Sequence, residues 1–335
     1  MVTTIGLIGV GRIGAMHAAN LSALEDVRLI IADADATRAR QLATGLGCSA
    51  AADAEELFGA RPDGLVVAVG TAQHVPMILR AVGAGIPVFC EKPVAPSTEA
   101  AVAVLEAIEA AGATVQIGHQ RRLDPGYQSA KVAYRSGELG WLHTIRALTA
   151  DQFPPPLRFL ETSGGLFQDC SVHDFDILQW ITGEPIIEVF ARGSNNGDPA
   201  IGDVGDVDSA VALVTFADGT LASVSATRYN GAGHDVRLEL HGSRGTIQVG
   251  LDASYAGRSA EPGFTFPSGA PHTTFHDRFA AAYRMEMDAF VQLVRRTGDN
   301  PCTAAESVDA SRVAEAAQRS LRTGTPVWVR REARD

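Results

Sequence analysis

Lysine is almost absent from this sequence of 335 residues. Its 28 Lys and Arg residues include only two lysines, Lys92 and Lys131. A chain that uses arginine wherever any positive charge will serve keeps lysine where the amine itself is needed, because the two side chains differ in shape and proton chemistry. Chance and codon bias suffice to explain Lys131, which stands on a polar helical stretch. Lys92 is therefore a candidate for amine-specific chemistry.

Paired cysteines and an excess of positive charge are also absent. No C-x-x-C pair indicates a zinc or redox centre. We expect the four cysteines to be small, buried apolar residues: Cys48, Cys90, Cys170 and Cys302. The formal net charge of -11 disfavours a surface for nucleic acid or anionic membranes, because such surfaces need clustered Lys and Arg.

Long apolar runs are lacking too. No run approaches the roughly 18 residues that a membrane-spanning helix needs, and no basic stretch or cleavage site of a secretory signal precedes the first strand. We therefore expect a cytoplasmic protein. An apolar fraction of 46% with 20% charged residues is typical of a globular chain. The length of 335 residues predicts two domains.

Residues 1–119 alternate short apolar strands with amphipathic helices. This alternation predicts an α/β domain with a parallel, doubly wound sheet. The predicted strands are Thr4–Val10, Val27–Ala32, Gly64–Val69, Pro87–Cys90 and Thr114–Gly118. The predicted helices are Ile13–Leu24, Ala36–Leu46, Val75–Ala84 and Ser97–Ala111.

Residues 120–335 differ from the first part, because several strand-like segments follow one another with turn residues between them. This pattern predicts an α+β domain with a mainly antiparallel open sheet. The predicted strands are Leu142–Ala150, Ala210–Phe216, Leu221–Thr227, Val236–His241 and Thr246–Val249. The predicted helices are Tyr127–Ser136, Leu166–Ile181, Asp277–Thr297 and Ala304–Thr323. The loop Phe153–Gly165 contains three consecutive prolines, and we expect no regular structure in it.

A glycine-rich motif follows the first predicted strand and opens the first helix. Residues 9–14 read G-V-G-R-I-G, and the positions predicted to bind a dinucleotide are Gly9, Gly11, Arg12, Ile13 and Gly14. The three glycines permit a tight turn, close approach of a pyrophosphate and close helix packing. Asp33 stands at the end of the second strand, where an acid binds the adenine ribose. Together these features predict a Rossmann domain.

Asp33 also bears on which dinucleotide is bound. A carboxylate there accepts hydrogen bonds from a 2′-hydroxyl and repels a 2′-phosphate. The next residues, Ala34 and Asp35, supply no cation. Arg38 and Arg40 lie nearby, and we interpret them as solvated positions on the next helix. The sequence therefore predicts NAD rather than NADP.

Lys92 lies within Glu91-Lys92-Pro93, directly after a predicted strand. Ligands of open α/β sheets bind at the carboxyl ends of the strands, so an amine at this position faces the nicotinamide crevice. The alternative is a turn with a solvated lysine, which the scarcity of lysine disfavours.

A second group of polar residues stands on the predicted helix Leu166–Ile181. Helical spacing places Asp169, His173 and Asp176 on one stripe. An ordinary surface ion pair is the alternative, but flanking apolar residues indicate a largely buried helix. Two weaker clusters are set aside. His272 and His276 lack further metal-ligand partners at the required spacing. The acids Asp203, Asp206 and Asp208 do not fit a calcium loop and indicate an acidic turn.

Taken together, these motifs resemble the Gfo/Idh/MocA family of oxidoreductases. The family's pattern combines the glycine fingerprint and its acid with E-K-P and G-G-x-x-x-D-x-x-x-H. The last motif is formed by Gly164, Gly165, Asp169 and His173. The resemblance covers essentially the whole chain and is greatest to inositol 2-dehydrogenases, in the stretches 118–127, 227–230 and 278–283.

The resemblance implies site residues and roles. Lys92, Asp169 and His173 correspond to the family's catalytic triad, without a metal. The further residues assigned to NAD are Thr71, His74, Glu91, Lys92 and Gln120. Those assigned to the substrate are Asp151, Tyr229 and His234. A histidine, with an unperturbed pKa of about 6.5, suits removal of a hydroxyl proton.

The resemblance favours oxidation of a ring secondary alcohol on a polyol or sugar, and it leaves alternatives open. Inositol enzymes commonly have Gly-Tyr-Asp where this chain has Gly233-His234-Asp235, and prolines at 154–156 reshape a nearby loop. Another sugar or sugar derivative is therefore a second possible substrate. A sensor that binds NAD without turnover, or a purely structural protein, would not require the triad. Assembly into a homodimer or homotetramer through the C-terminal sheet is expected alongside catalysis.

Overall fold

The computed structural model describes residues 2–329 and divides them into two compact units. The first unit is formed by the chain up to Leu123 together with Ala281–Val308, and the second by Asp124–Ala280 together with the chain from Asp309 onward. The division predicted from the sequence, 1–119 and 120–335, differs because a late segment returns to the first unit. Its side chains Met287, Phe290 and Val291 pack in one apolar cluster with Ile5 and Leu7 of the first strand.

The strands and helices of the described chain are numbered in chain order. The strands are β1 Thr3–Ile8, β2 Val27–Ala32, β3 Ser49–Ala50, β4 Gly64–Val67, β5 Val88–Glu91, β6 Val115–Gly118, β7 Leu142–Ala150, β8 Ile186–Ser194, β9 Ser209–Phe216, β10 Leu221–Thr227, β11 Asp235–Gly242, β12 Thr246–Val249 and β13 Val327–Trp328. The α-helices are α1 Arg12–Ser22, α2 Ala36–Leu46, α3 Ala54–Gly59, α4 His74–Gly83, α5 Thr98–Ala110, α6 Pro125–Arg135, α7 Leu157–Leu160, α8 Val172–Thr182, α9 Pro199–Asp203, α10 Phe275–Arg278, α11 Ala280–Val294 and α12 Ala304–Thr323.

The sheet of the first unit is parallel throughout, with the strand order β3-β2-β1-β4-β5-β6. All residues of β1 and β4 are buried, as expected for strands covered by helices on both faces. Side-chain caps define where helices begin: Asp35 accepts backbone N–H groups at the start of α2, and Ser97 does so at the start of α5. The predicted doubly wound α/β domain is confirmed.

The sheet of the second unit is mixed, with the order β12-β11-β7-β10-β9-β8-β13. Its pairs are antiparallel except β10 with β7, which is parallel. Burial alternates along β9, where Ala212 and Val214 are buried while Val211 and Leu213 are exposed. This alternation confirms the predicted sheet, which buries one face and exposes part of the other.

One local prediction was wrong, and three were right only in part. The loop Phe153–Gly165 contains the short helix α7, which begins directly after the last of the three prolines because proline is compatible with a helix start. The predicted helix Leu166–Ile181 is interrupted: Phe167–Ser171 form a π-helical turn, and α8 follows. The predicted helix Asp277–Thr297 is divided at Phe279, where α10 ends and α11 begins. Three of the four cysteines are buried as predicted, but Cys48 is partly exposed.

Besides α7, five elements had no counterpart in the sequence prediction: β3, α3, β8, α9 and β13. Two of them are strands of two residues, too short for a periodic pattern. Among the described residues, no helix combines the length and apolar character needed to cross a membrane.

Candidate active site

Predicted cofactor residues of the first unit lie at one edge of its sheet. Gly9 follows β1, Asp33 follows β2, Thr71 follows β4, Lys92 follows β5 and Gln120 follows β6. Because the strands are parallel, their carboxyl ends meet at the same edge. The strand order reverses between β1 and β4, and open α/β sheets bind ligands outside the carboxyl ends at such a point.

The glycine turn contains two kinds of glycine. Gly9 has a φ of 93°, and a Cβ there would lie 2.6 Å from the Ala68 carbonyl oxygen, while a Cβ on Gly14 would overlap the Gly9 carbonyl oxygen. These two glycines are required by the protein's own packing. A Cβ on Gly11 would meet no protein atom within 4 Å. The open space at Gly11 fits a ligand that approaches the backbone, as a dinucleotide pyrophosphate does.

The start of α1 supports the same assignment. Gly11 is the N-cap, with no side-chain capping hydrogen bond and no acidic residue in the first turn. The positive end of the helix dipole is therefore not neutralised by a side chain, and it favours an anion. Arg12 and Ile13, the two residues between the glycines, form the start of this helix. The turn thus fits the phosphates of NAD.

Asp33 is held against the glycine turn. Its Oδ2 accepts the Val10 N–H at 2.7 Å and its Oδ1 accepts the Asp35 N–H at 2.8 Å. Arg38 is more than half exposed and lies 3.9 Å from Asp33 and 3.6 Å from Asp35. Its charge therefore faces two acids at the protein surface. The Asp33 carboxylate is fixed at the position that binds ribose hydroxyls in Rossmann domains.

His74 holds the turn that carries Lys92. Its Nδ1 is 2.7 Å from the Pro93 carbonyl oxygen and its Nε2 is 3.1 Å from the Val69 carbonyl oxygen, and the ring is buried. Both ring nitrogens face backbone oxygens that follow β4 and β5. These contacts favour a role for His74 in positioning the E-K-P turn over direct contact with the cofactor. Lys92 itself is half-buried.

A buried polar cluster surrounds Glu91. His17 Nε2 lies 2.6 Å from Glu91 Oε1, and the ligand-type atoms of His17, Glu91 and Glu286 lie within 4.8 Å of one another. Burial, and then the charge of Glu91, raise the pKa of Glu286 well above its ordinary value. Burial, followed by Glu91 and Glu286, also raises the pKa of Tyr283. A bound proton on Glu286 is therefore sufficient to relieve the repulsion between the two carboxyls.

The sequence analysis missed His17 and Glu286. His17 lies in the first turn after the glycine motif, and this position alone is only a weak indication of a functional role. Glu286 had no signal, because its proximity to Glu91 depends on α11 packing against β5, and these elements are far apart in the sequence.

The motif residues of the second unit lie on the π-helical turn and the helix after it. Asp169 is in the turn, His173 is in the first turn of α8, and both are half-buried. Asp176 is buried, in agreement with the prediction of a largely buried helix. The neighbouring Asp174 is also buried and accepts the Thr149 hydroxyl at 2.8 Å. A π turn adds a residue to a helix, and such turns are frequent at functional sites.

The structure brings Asp151 and Asp169 together at Cys170, with His234 beside Asp151. The thiol sulfur lies 3.7 Å from Asp151 Oδ2 and 3.8 Å from Asp169 Oδ2. His234 Nδ1 lies 3.1 Å from Asp151 Oδ1, and the ring of His234 is buried. Asp151 follows β7 and His234 precedes β11, which are neighbouring strands. Ionised carboxylates only accept hydrogen bonds, so this cluster is suited to a ligand with several hydroxyl donors.

Tyr229 contacts a different part of the second unit. Its hydroxyl accepts the Asp198 N–H at 3.4 Å, and its ring would be met closely by a Cβ on Gly197. It therefore packs against the loop before α9, and none of its recorded contacts joins it to Asp151 or His234. Contact of Tyr229 with substrate stays a prediction. The adjacent Arg228, to which the sequence analysis gave no role, is fully buried and contacts Asp169.

Known proteins match this chain over nearly its full length. Residues 3–119 match the family model "Oxidoreductase family, NAD-binding Rossmann fold", and residues 132–329 match "Oxidoreductase family, C-terminal alpha/beta domain". The myo-inositol dehydrogenase Hyg17 of Streptomyces leeuwenhoekii is 36% identical over 96% of this chain and 98% of its own length. The scyllo-inositol 2-dehydrogenase (NAD(+)) of Bacillus subtilis (strain 168) is 34% identical over 96% and 95%.

Solved structures agree with this assignment. A myo-inositol dehydrogenase from Corynebacterium glutamicum superposes with a TM-score of 0.91 at 32% identity, covering 99% of this chain and 100% of its own. The scyllo-inositol dehydrogenase from Lactobacillus casei, solved with bound NAD(H) and scyllo-inositol, gives 0.88 at 27% identity, covering 98% and 99%. The chain belongs to the Gfo/Idh/MocA family of oxidoreductases and is an NAD-dependent enzyme of that family.

Proposed function

We propose that the protein oxidises a ring secondary alcohol of a cyclic polyol of the inositol type, with NAD as the hydride acceptor. The observation that carries this proposal is a pair of carboxylate acceptors in the second unit: Asp151 and Asp169 both contact the Cys170 thiol, and His234 contacts Asp151. The ring of a polyol presents hydroxyl donors to such a group. Relatives named inositol dehydrogenases support the same substrate class.

We assign the three catalytic roles as the family resemblance implies. His173 accepts the hydroxyl proton, because a neutral imidazole is a base near neutral pH. Asp169 orients the imidazole and stabilises its cation once the proton has moved. Lys92 donates to the substrate oxygen and balances the negative charge that develops there. Bound NAD supplies the nicotinamide carbon that receives the hydride.

Initial rates with NAD on a panel of substrates test the proposal. The panel is myo-inositol, scyllo-inositol, glucose, xylose and galactose, with lactate and malate as 2-hydroxy acids for comparison. We expect a cyclic polyol to be oxidised with a higher kcat/KM than either acid, because Arg228, the cation that contacts Asp169, already faces two carboxylates. Efficient turnover of lactate or malate, with none of inositol or the sugars, would reverse the assignment.

One observation favours a second candidate, a dehydrogenase of the same family that acts on an aldose or a sugar derivative. His234 stands where inositol enzymes commonly have tyrosine, and its Nδ1 lies 3.1 Å from Asp151 Oδ1, so it offers an imidazole rather than a phenol hydroxyl. The same panel separates the two candidates, because an aldose enzyme would favour glucose, xylose or galactose over both inositols.

We also propose that copies of the chain pair through the exposed face of the seven-stranded sheet. Val211, Leu213 and Leu221 on β9 and β10 are each about half exposed, at 48%, 58% and 53%. Neighbouring apolar side chains of this kind on a sheet face are typical of a covered interface. A second copy buries this face by symmetry, giving a homodimer or homotetramer.

Molar mass in solution tests the assembly. We expect the double substitution Val211→Asp and Leu213→Asp to shift the protein toward monomer in sedimentation equilibrium. The matched control is Leu79→Asp, which places the same charge on an exposed leucine of α4 in the first unit. A monomeric unmutated protein would refute the assembly. Cytoplasmic location and a role in sugar metabolism remain predictions.

A further inference from the structure

Arg228 is a fully buried arginine between two carboxylates of the second unit. Its Nη1 donates to Asp169 Oδ2 at 3.2 Å, and its Nη2 donates to Asp206 Oδ2 at 2.9 Å. The side chain has no exposed surface, and that of Asp206 is only 3% exposed. Burying a charge is costly unless it is paired and hydrogen-bonded. The arrangement therefore holds all three side chains in one geometry.

Asp206 extends this contact to the start of the catalytic motif. Its Oδ1 accepts the Leu166 N–H at 2.9 Å, directly after the Gly164-Gly165 pair. A Cβ on Gly165 would lie 3.2 Å from the same oxygen. A continuous chain of hydrogen bonds thus runs from the Leu166 backbone through Asp206 and Arg228 to Asp169. Both ends of the segment 166–169 are fixed to the same guanidinium.

We propose that Arg228 and Asp206 are positioning residues for the reaction: together they fix the orientation of the Asp169 carboxylate, which in turn orients His173. The inference rests on the proposed function, because it needs Asp169 and His173 to act in catalysis. Neither Arg228 nor Asp206 touches the reacting atoms.

The chemistry of arginine fits this task better than that of lysine. A guanidinium presents a rigid fork that donates to two carboxylates at once, while an ammonium is a compact point charge. Burial lowers the pKa of Arg228, but the neighbouring Cys170, Asp169 and Asp206 raise it by more, so the side chain keeps its charge. The Cys170 thiol connects Asp169 to one further titratable pair, Asp151 and His234, which contact each other.

Two substitutions test the proposal. Arg228→Lys keeps a cation but cannot bridge both carboxylates, and Arg228→Met removes the charge. With the best substrate of the panel we expect either change to lower kcat at least about tenfold, which is less than the roughly hundredfold or more of a group that transfers the proton itself. The KM for NAD should stay within about twofold, because neither substitution changes a residue assigned to NAD binding. The acid limb of the kcat profile should move to higher pH, because burial favours a neutral carboxyl once its cation is gone.

The matched control is Asp208→Asn. Asp208 is a buried acid on the same segment as Asp206, but its carboxylate accepts the N–H groups of Asn196 and Gly197 and does not contact the Arg228 side chain. We expect Asp208→Asn to lower the melting temperature without moving the acid limb. If Arg228→Met does not fold, Arg228→Lys alone decides the outcome.

The result that overturns the inference is an Arg228→Lys enzyme with unchanged kcat and an unmoved acid limb. An equal shift of the acid limb in Asp208→Asn would also overturn it, since a general loss of stability would then suffice. The proposed function fails separately, when the unmutated protein turns over no member of the panel or when His173→Asn keeps full activity.

Discussion

At the scale of single residues, Asp33 separates NAD from NADP through the charge of one carboxylate. We expect the unmutated enzyme to favour NAD by at least about tenfold in kcat/KM, since a carboxylate there repels a 2′-phosphate. Asp33→Asn keeps an oxygen that can accept from Val10 N–H and removes the charge. We expect it to narrow the preference, as measured by kcat/KM for both cofactors. Asp35→Asn, a helix cap two residues away, is the control and should leave the preference unchanged.

Lys92 offers a second test, because the chain contains its own control. We expect Lys92→Arg to lower kcat by roughly a hundredfold or more, the scale of a lost acid–base or oxyanion group. NADH binding, followed by quenching of protein fluorescence, should change much less. The control is Lys131→Arg, since Lys131 lies over the Trp180 ring at 3.6 Å and arginine can make the same contact. A Lys92→Arg enzyme with more than about a third of the original kcat would contradict the catalytic role.

Sequence reasoning found the residues that have a local signature. Lys92 stands out by scarcity, Asp33 by its distance from the glycine motif, and His173 by its family motif. Arg228 and Glu286 were missed because what distinguishes them is burial beside a carboxyl from a distant part of the chain. Such pairings depend on tertiary packing, which residue spacing does not encode. Asp206 was predicted to lie in an acidic turn. Its hydrogen bonds with the Leu166 N–H and with Arg228 follow only from the structure.

At the scale of elements, the glycine turn contains one glycine needed for ligand binding and others needed for folding. We expect Gly11→Ala to fold with a nearly unchanged melting temperature, because the added Cβ meets no protein atom within 4 Å. The same Cβ should weaken NADH binding at least about tenfold, since the pyrophosphate needs close approach to this backbone. Binding is measured by fluorescence titration and stability by thermal unfolding.

The comparison variant is Gly14→Ala. Its Cβ would overlap the Gly9 carbonyl oxygen, so we expect a loss of stability of about 1 to 3 kcal/mol, as for other overpacked sites. Equal effects of both substitutions on the melting temperature would contradict the distinction between a packing glycine and a ligand glycine.

Regular elements followed from periodicity, and irregular ones did not. The predicted bounds of β2, α2, β7, β10, β12 and α12 agree with the structure. The π-helical turn at Phe167–Ser171 escaped prediction because one extra residue per turn leaves the apolar pattern of a helix almost unchanged over so short a segment. It coincides with the G-G-x-x-x-D motif. The periodic sequence pattern of a helix therefore did not reveal the irregular turn at the candidate active site.

At the scale of the whole molecule, stability should depend on pH through Glu286. Its pKa is raised in the folded state by burial and by Glu91, so the folded state binds the proton more tightly than the unfolded state does. The resulting stabilisation is fully present below the unfolded pKa of about 4.5 and is lost as the pH rises through the folded pKa. Glu286→Gln removes this titration.

Thermal unfolding at a series of pH values above 4.5 measures the effect. We expect the melting temperature of the unmutated protein to fall with rising pH relative to that of Glu286→Gln. The control is Asp288→Asn, two residues further along α11, where the side chain is exposed. Parallel curves for the unmutated protein and Glu286→Gln would contradict a raised pKa.

The first unit is discontinuous in the chain, and this imposes an order on its synthesis. Its sheet is translated before Asp124–Ala280, and translation of that segment takes on the order of 10 to 30 s at typical rates. During that interval the apolar cluster of Ile5 and Leu7 lacks Met287 and Phe290, so unfinished chains expose a surface that chaperones bind. Proteolysis of arrested nascent chains should therefore show protection of residues 1–123 only when the arrest lies well beyond residue 308.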